Sequence, residues 1–365
     1  MNLKKKITFY VLFIILLISI TNITAYYFIY FKYTHIKING KYVNKQKYSI
    51  ESVNIYNKYL KRLHHLRDPY LFKESELLFN SIGEGKMVLL QGDSWVERFS
   101  ESTDAKKAFK KYSDLHNTKF VMAGTSSYSP SLYQAQLQIL KSDYKINPDV
   151  LITFFDQTDI GDELCRYKSN RYTEDENIFV KGYANYNEGR LYFMDFYLER
   201  IEILTSKKLS LLKLILLTKS NVIEKYFTTF TKTCGFDKIM KPLYEGLDTK
   251  DYEYFAEIVN DYFNYIFTKT DITKMIIVTH PHLKNLTGDY KINIKSVLKE
   301  IVNKSKFKKN IIFHNFNNEH VSRYLEEEKN KKFLCIFVPG DEASHLCDVY
   351  QYKVIVPSIL RRLNQ

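Results

Sequence analysis

From residue 86 onward, short apolar runs alternate with stretches of helical spacing. Met87-Val-Leu-Leu-Gln91 reads as a buried strand, followed by Gly92-Asp-Ser-Trp95. A helical stretch over about 97–114 leads to a second run, Lys119-Phe-Val-Met-Ala123, which ends in Gly124-Thr-Ser-Ser127. Residues 130–143 again carry helical spacing, and Asp149-Val-Leu-Ile-Thr-Phe-Phe155 predicts a third strand. Lys274-Met-Ile-Ile-Val-Thr279 predicts a fourth and Asn310-Ile-Ile-Phe313 a fifth, while Lys332-Phe-Leu-Cys-Ile-Phe-Val338 is a run before the last loop. Apolar strands of this length, without polar alternation and with helices between them, predict an α/β domain whose parallel sheet is covered on both faces.

Three segments stand outside this pattern. Residues 160–270 are long, charged and mostly helical in pattern, and read as an insertion on the core. Its apolar stretch Ile203–Leu217 is interrupted by Lys207, Lys208 and Lys213, which argues against a membrane span. Residues 33–85 are polar and tyrosine-rich, as expected of a membrane-proximal stalk and entry helix; His64 and His65 are expected to be solvated there. At the N-terminus, Lys4, Lys5 and Lys6 precede Ile7–Phe31, which has no charged residue. As a helix it would reach about 37 Å, enough to cross a hydrocarbon core of about 30 Å. A cleaved signal peptide ending near Thr24-Ala25 is the competing reading. The run continues through Tyr26, Tyr27, Phe28 and Ile29, aromatics placed like an interfacial belt, which favours an uncleaved anchor. The expected organisation is therefore a tail and anchor over 1–32, a stalk over 33–85, and an α/β domain over 86–365 with its insertion at 160–270.

Composition narrows the class. Apolar residues at 45% and charged residues at 26% exclude a wholly disordered chain, and twelve Gly with seven Pro exclude a collagen-like one. Lys and Arg number 54 against 41 Asp and Glu, a net charge of +13, yet only ten of the 54 are Arg. Nucleic-acid readers lean on Arg, and here the basic residues are spread evenly, so no nucleic-acid partner is expected. Lysines also flank the apolar segment on both sides (Lys32, Lys37, Lys41, Lys45 and Lys47 follow it), so charge alone does not orient it. Cys165, Cys234, Cys335 and Cys347 are widely spaced without a CxxC, which gives no support to a zinc ribbon or a thioredoxin-like site. Their number permits disulfides and free thiols alike.

In a doubly wound sheet the ligand site lies beyond the carboxyl ends of the strands. There the sequence places Asp93 and Ser94, then Gly124, then Asp156-Gln157-Thr158-Asp159, then His280 and His282; the last loop brings Asp341, Glu342 and His345. A serine at a sharp turn after a strand suits a nucleophile, since the following helix N-terminus offers N–H groups to an oxyanion. Its hydroxyl needs a base. His345 is the best placed, with carboxylates at 341 and 342 within one turn to fix its tautomer. Trp95, the only tryptophan, could stack on a sugar ring or pack inside. Gly124 could be a turn glycine. Asp156, Asp159, Asp162 and Glu163 form an acidic cluster more suited to capping the next helix than to holding a cation, so neither metal nor cofactor is expected. Asp93, Trp95, Asp159, His280 and His282 are candidate substrate contacts.

Gly92-Asp93-Ser94, with a glycine after the second strand, a polar quartet after the third and an acid-plus-histidine loop near the C-terminus, resembles the SGNH/GDSL hydrolase superfamily. The terminal segment Asp341-Glu-Ala-Ser-His345-Leu, followed by Tyr350, resembles its last block. The resemblance spans roughly 86–365, with 160–270 unmatched. It implies a three-layer flavodoxin-like sandwich and esterase, lipase or acyltransferase activity. It further implies Ser94 as nucleophile, His345 as base, and the Ser94 and Gly124 N–H groups as oxyanion donors. Two positions depart from the pattern. The third block of the family reads Gly-x-Asn-Asp, whereas here Thr158 stands in the Asn slot, leaving Gln157 or Thr158 as substitute donors. The family's acid sits three residues before the histidine, which is Glu342; Asp341, following Gly340 at the start of the turn, is the alternative. The expected protein is a membrane-anchored, exported serine esterase or O-acyltransferase, acting on an ester of a cell-envelope glycan. A catalytically weak glycan-binding or assembly protein on the same scaffold is the alternative, and a cytoplasm-facing lipid esterase a third.

Overall fold

The computed structural model describes residues 78–180, 236–316, 335–341 and 345–363, with shorter pieces at 9–10, 12–13, 16–17, 19–20, 35–38, 41–44, 59, 62–63, 234, 321–322, 325–326 and 329–330. Most of the anchor Ile7–Phe31 and of the stalk, His64, His65, the stretch Ile203–Leu217 and Glu342 lie outside the described residues. Among the described residues no helix is long and apolar enough to cross a membrane. The positions described between 9 and 20 are helical, and Phe9, Tyr10, Leu12, Phe13, Leu16, Leu17 and Ile20 are each half or more exposed.

The chain divides into two compact units. Of the first, Met1–Asn57, Pro69–Leu71 and Ala184–Lys232, the described strands are the hairpin β1 (His35–Ile38) and β2 (Lys41–Asn44). The second, Lys58–Asp68, Phe72–Tyr183 and Thr233–Gln365, is a mixed α/β unit around a mostly parallel sheet. In chain order its elements are β3 (Asn80–Ile82), β4 (Lys86–Gly92), α1 (Ser94–Glu101), α2 (Thr103–His116), β5 (Thr118–Gly124), α3 (Pro130–Tyr144), β6 (Val150–Phe155) and α4 (Asp159–Asp162). Then come β7 (Arg171–Glu174), β8 (Asn177–Val180), α5 (Phe236–Glu245), α6 (Thr249–Lys269), β9 (Lys274–Thr279), α7 (Leu283–Thr287), α8 (Ile294–Lys304), β10 (Ile311–Asn315) and α9 (Val356–Leu363).

The sheet runs β10-β9-β6-β4-β5-β3. Only β3, on the edge, is antiparallel, pairing Ser81 with Val121. Without it the order in chain sequence is 2-1-3-4-5, that of doubly wound sheets with a switch point between the first and third strands. β4 is that first strand, paired in parallel with β5 and with β6. The strands read as unbroken apolar runs because both faces are covered. Val88, Leu90, Phe120, Met122, Ile152, Phe154 and Ile276 point into a core shared with Phe99 of α1, Phe109 of α2 and Ile359 of α9. On the opposite face the fully buried Gln91 donates to the Tyr133 carbonyl (2.7 Å) and to Gln136 (2.8 Å), and accepts from the Tyr262 hydroxyl (2.6 Å). A buried amide needs all of these bonds. They tie α3 and α6 to β4.

Several elements differ from the sequence expectation, each for a local reason. The helix expected over about 97–114 is two helices, because the Ser102 hydroxyl caps α2 by accepting from Ala105 N at 3.3 Å. The supposedly helical start of the insertion contains the hairpin β7–β8, turned at Asp175 and Glu176, both at positive φ without a glycine to signal it. Thr249–Lys269, also within the span read as an insertion, is the helix leading into β9; it buries Phe255, Ile258, Val259, Tyr262, Phe263 and Ile266. In the region read as stalk, Tyr59, Leu63 and Leu78 are fully buried, and the Tyr59 and Tyr144 hydroxyls lie 2.8 Å apart.

Candidate active site

Gly92 ends β4, and Asp93 turns the chain into α1. Its carboxylate caps the helix, Oδ1 accepting from Trp95 N at 3.0 Å. Ser94 is therefore the first residue of α1, where backbone N–H groups lack an intrahelical acceptor and the dipole favours negative charge. Gly124 ends β5 directly beside this turn. A Cβ there would lie 2.2 Å from the Glu97 nitrogen and 2.5 Å from the Val96 carbonyl carbon. Gly124 does not have positive φ, so close approach of β5 to the α1 backbone, not a turn, requires the glycine.

His345 reaches the site from the far end of the chain. Its Nε2 lies 2.7 Å from Ser94 Oγ, and its Nδ1 lies 2.5 Å from Asp341 Oδ2. The carboxylate only accepts, so in the neutral ring Nδ1 holds the proton and Nε2 turns its lone pair to the Ser94 hydroxyl. Asp341 Oδ2 also accepts from His345 N at 3.2 Å. The side chains of Asp341 and His345 are about one-fifth exposed, at 20% and 22%, as a site open to substrate requires. Asp93 Oδ2 is a secondary contact, 3.3 Å from Ser94 Oγ. Burial, and then the charge of Asp156, hold the Asp93 carboxyl well above the usual carboxylate range.

The loop carrying these groups is a narrow hairpin. Phe337 bridges Leu346 antiparallel, Val338 N donates to the His345 carbonyl (2.8 Å), and Cys347 N donates to the Ile336 carbonyl (2.8 Å). Cys335 and Cys347 close its neck as a disulfide, and a second joins Cys165 to Cys234. The sequence left both pairings open, although Cys335 and Cys347 bracket the 341–345 segment and could have flagged it. Arg98 and Gln351, which both donate to the Leu346 carbonyl (3.4 and 2.8 Å), were also not singled out.

The other candidates lie beneath this constellation. Gln157 is fully buried; its Nε2 donates to the His280 carbonyl (3.1 Å) and its Oε1 accepts from Ile294 N (3.0 Å). The Thr158 hydroxyl donates to Asp156 Oδ2 at 2.5 Å. Both groups are thus committed to structural bonds, which corrects their expected use as oxyanion donors. Trp95 is 6% exposed, centred 5.2 Å from the His280 ring and stacked at 6.2 Å on His282, so it packs inside and offers no platform for a sugar. His280 and His282 are sealed from solvent, which replaces their expected contact with substrate by a supporting role. His280 Nδ1 donates to the Pro281 carbonyl (2.8 Å) and Nε2 accepts from the Tyr350 hydroxyl (3.1 Å); burial drives its pKa down to about 3, so the ring is neutral.

The acidic cluster is partnered residue by residue. Asp159 accepts from the Tyr133 hydroxyl (3.0 Å), and burial followed by Asp93 and Asp156 holds it well above the usual range. It too is closed to solvent and does not serve as a substrate contact. Asp162 faces Arg166 at 3.0 Å, with burial lifting its pKa to about 7. Glu163 takes the Ser129 and Ser131 hydroxyls and Ser131 N at the start of α3. Among the described residues no group of three or more His, Cys, Asp or Glu is placed to hold a metal ion.

Asp156 accepts from His282 Nε2 at 2.5 Å as well as from Thr158 N and Oγ1. Burial alone would raise its pKa, but His282 and the Thr158 bonds win and bring it down to about 2. A carboxyl depressed in the folded state stabilises it above the unfolded value near 3.8, and that contribution is lost as pH falls through about 2. We expect Asp156→Asn to cost on the order of 2 kcal/mol near neutral pH, with the gap to the parent shrinking below about pH 4. Urea unfolding of both proteins across this range measures it; a gap independent of pH would assign the loss to packing instead.

A groove of about 690 Å³ along α2, lined by Lys106, Lys107, Lys110, Lys111, Ile82 and Leu115, shares no residue with the Ser94–His345 site.

No family model and no curated protein matches the chain. Among solved structures it is similar to an acetylxylan esterase from Geobacillus stearothermophilus (11% identity, TM-score 0.38, 78% of this chain and 96% of that one). It is similar also to a gut microbial diltiazem-metabolizing enzyme (11% identity, TM-score 0.38, 77% of this chain), of whose length it spans about half, 47%. A third is an acetyl xylan esterase from the rumen bacterium Butyrivibrio proteoclasticus (8% identity, TM-score 0.30, 68% of this chain and 64% of that one). At these values the likenesses say nothing of this chain's substrate.

Proposed function

We propose that the chain is a serine ester hydrolase or O-acyltransferase of the SGNH/GDSL type, acting on an ester, most simply an O-acetyl group, of a cell-envelope glycan. The observation that carries the reading is the hydrogen-bonded series Ser94 Oγ, His345 and Asp341 at the carboxyl end of β4, beside the switch point of the sheet. Ser94 Oγ attacks the ester carbonyl carbon while its proton passes to His345 Nε2, and Asp341 holds the Nδ1–H of the resulting imidazolium. The N–H groups of Ser94 and Gly124 receive the oxyanion. Collapse breaks the carbon–oxygen bond; the alkoxide leaves with the proton from His345, and the acyl group stays on Ser94. Water, or a sugar hydroxyl in a transferase, then gives its proton to His345 and attacks the acyl carbon; the bond to Ser94 Oγ breaks, and His345 returns the proton to Oγ.

The export reading rests on Ile7–Phe31 as an anchor that leaves the C-terminal unit outside the cytoplasm. It is supported by the exposed apolar side chains on the described helical positions between 9 and 20, and by two disulfides, which persist in oxidising compartments. The alternative, a glycan-binding or assembly protein, draws support from Gln157 and Thr158 both being engaged in other bonds, so that neither stands ready as a third oxyanion donor. A fluorophosphonate probe separates the two. In the esterase reading it phosphonylates Ser94, located by peptide mass spectrometry; glycan binding without labelling and without ester turnover would establish the alternative.

A further inference from the structure

We propose that the Cys335–Cys347 disulfide is the positioning device of the Asp341–His345 pair, so that turnover at Ser94 depends on its oxidised form; this rests on the serine-esterase reading above. The two residues that must meet stand on opposite arms of one hairpin, Asp341 on the outgoing arm and His345 on the returning one. The returning arm is well held. Leu346 is buried in the core, its carbonyl takes bonds from Arg98 and Gln351, and the Cys347 carbonyl accepts from Tyr350 N and Gln351 N at 3.0 Å each, opening the final helical segment. The outgoing arm is more exposed toward its tip. Ile336 and Phe337 are buried, but Val338 and Asp341 are half-buried, Pro339 and Gly340 exposed, and Gly340 takes positive φ at the tip.

Across the hairpin the arms are joined by the Phe337–Leu346 bridge, two backbone hydrogen bonds, the His345 N to Asp341 Oδ2 bond, and the covalent link between residues only 12 apart. The Asp341 and His345 side chains are 20% and 22% exposed, so water partly screens their contact. With the neck closed, the carboxylate has few places to go other than the imidazole; with it open, the arms can separate while the sheet and both helical layers remain intact. Cys335 and Cys347 are both half-buried, so a small dithiol can reach them. Reduction breaks the S–S bond, its two electrons come from the dithiol, which becomes a disulfide, and two thiols are left on the protein.

The test compares the full chain with a Cys335→Ser/Cys347→Ser variant and, as control, a Cys165→Ser/Cys234→Ser variant. Readouts are kcat and KM for a chromogenic acetyl ester, the rate of fluorophosphonate labelling of Ser94, and the melting temperature. Loss of the clasp should lower kcat and the labelling rate together by about 10- to 100-fold, the scale of misplacing a catalytic group, with KM within about twofold. The control should keep parental kcat. Should the variant fold poorly, dithiol treatment of the folded parent gives the same comparison, and reoxidation should restore kcat. Parental kcat in a folded variant or in the reduced parent would overturn the proposal, as would alkylation of Cys335 and Cys347 without prior reduction. If the parent neither turns over ester nor labels, the esterase reading falls and takes this proposal with it, an outcome distinct from an active parent that is indifferent to its clasp.

Discussion

Ser94→Ala is expected to abolish ester turnover, by a factor of about 10⁴ or more, and to leave the fold unchanged. The size of the effect follows from chemistry. Without Oγ there is no atom to carry the acyl group, and His345 has no proton to take. Stability should barely respond, because the side chain is half-buried at the surface end of α1 and its oxygen bonds only His345 and, at 3.3 Å, Asp93. Loss of such a hydrogen bond costs about 0.5–1.5 kcal/mol at most. The helix keeps its cap, which comes from Asp93 and not from Ser94. The comparison should use a chromogenic acetyl ester and an acetylated glycan, each with and without a free sugar acceptor. Hydrolysis lost in the variant marks an esterase, and turnover that requires the acceptor marks a transferase. Undiminished turnover in pure, folded Ser94→Ala would remove Ser94 from the chemistry.

His345→Ala is expected to lower kcat by about 10² to 10⁴. Some labelling of Ser94 should survive, since the hydroxyl and the helix N-terminus remain. Neither His280 nor His282 is placed to take over. His280 is buried with both nitrogens bonded and its pKa driven down to about 3 by burial, and His282 is sealed against Asp156. The melting temperature should move little, because the His345 side chain is partly exposed and contributes little apolar burial. Parental kcat in a folded variant would show that a different base serves the site and that the 2.7 Å contact is incidental.

The apolar runs by themselves determined much of the frame. Met87–Gln91, Lys119–Ala123, Asp149–Phe155 and Lys274–Thr279 lie within about a residue of strands in the structure, because a strand buried on both faces must be apolar along its length, and that is a local property. The order of Ser94, Gly124, the 156–159 quartet and His345 along the chain was equally legible, since strand ends are where such a sheet gathers its polar residues. What the sequence could not settle depends on which side chains meet after the chain has returned on itself. Ser94 and His345 are separated by 251 positions, and Asp341 meets His345 across a hairpin whose neck joins Cys335 to Cys347. Gln157 and Thr158 read as free donors until β9 and the start of α8 supplied the carbonyl and N–H that hold Gln157, and Asp156 took the Thr158 hydroxyl. Trp95 read equally well as a sugar platform or a core residue, and the approach of His280 and His282 from β9 decided for the core. Apolar periodicity is written into neighbouring residues and survives in one dimension; the direction of a polar side chain is set by packing between elements, and only the folded chain specifies it.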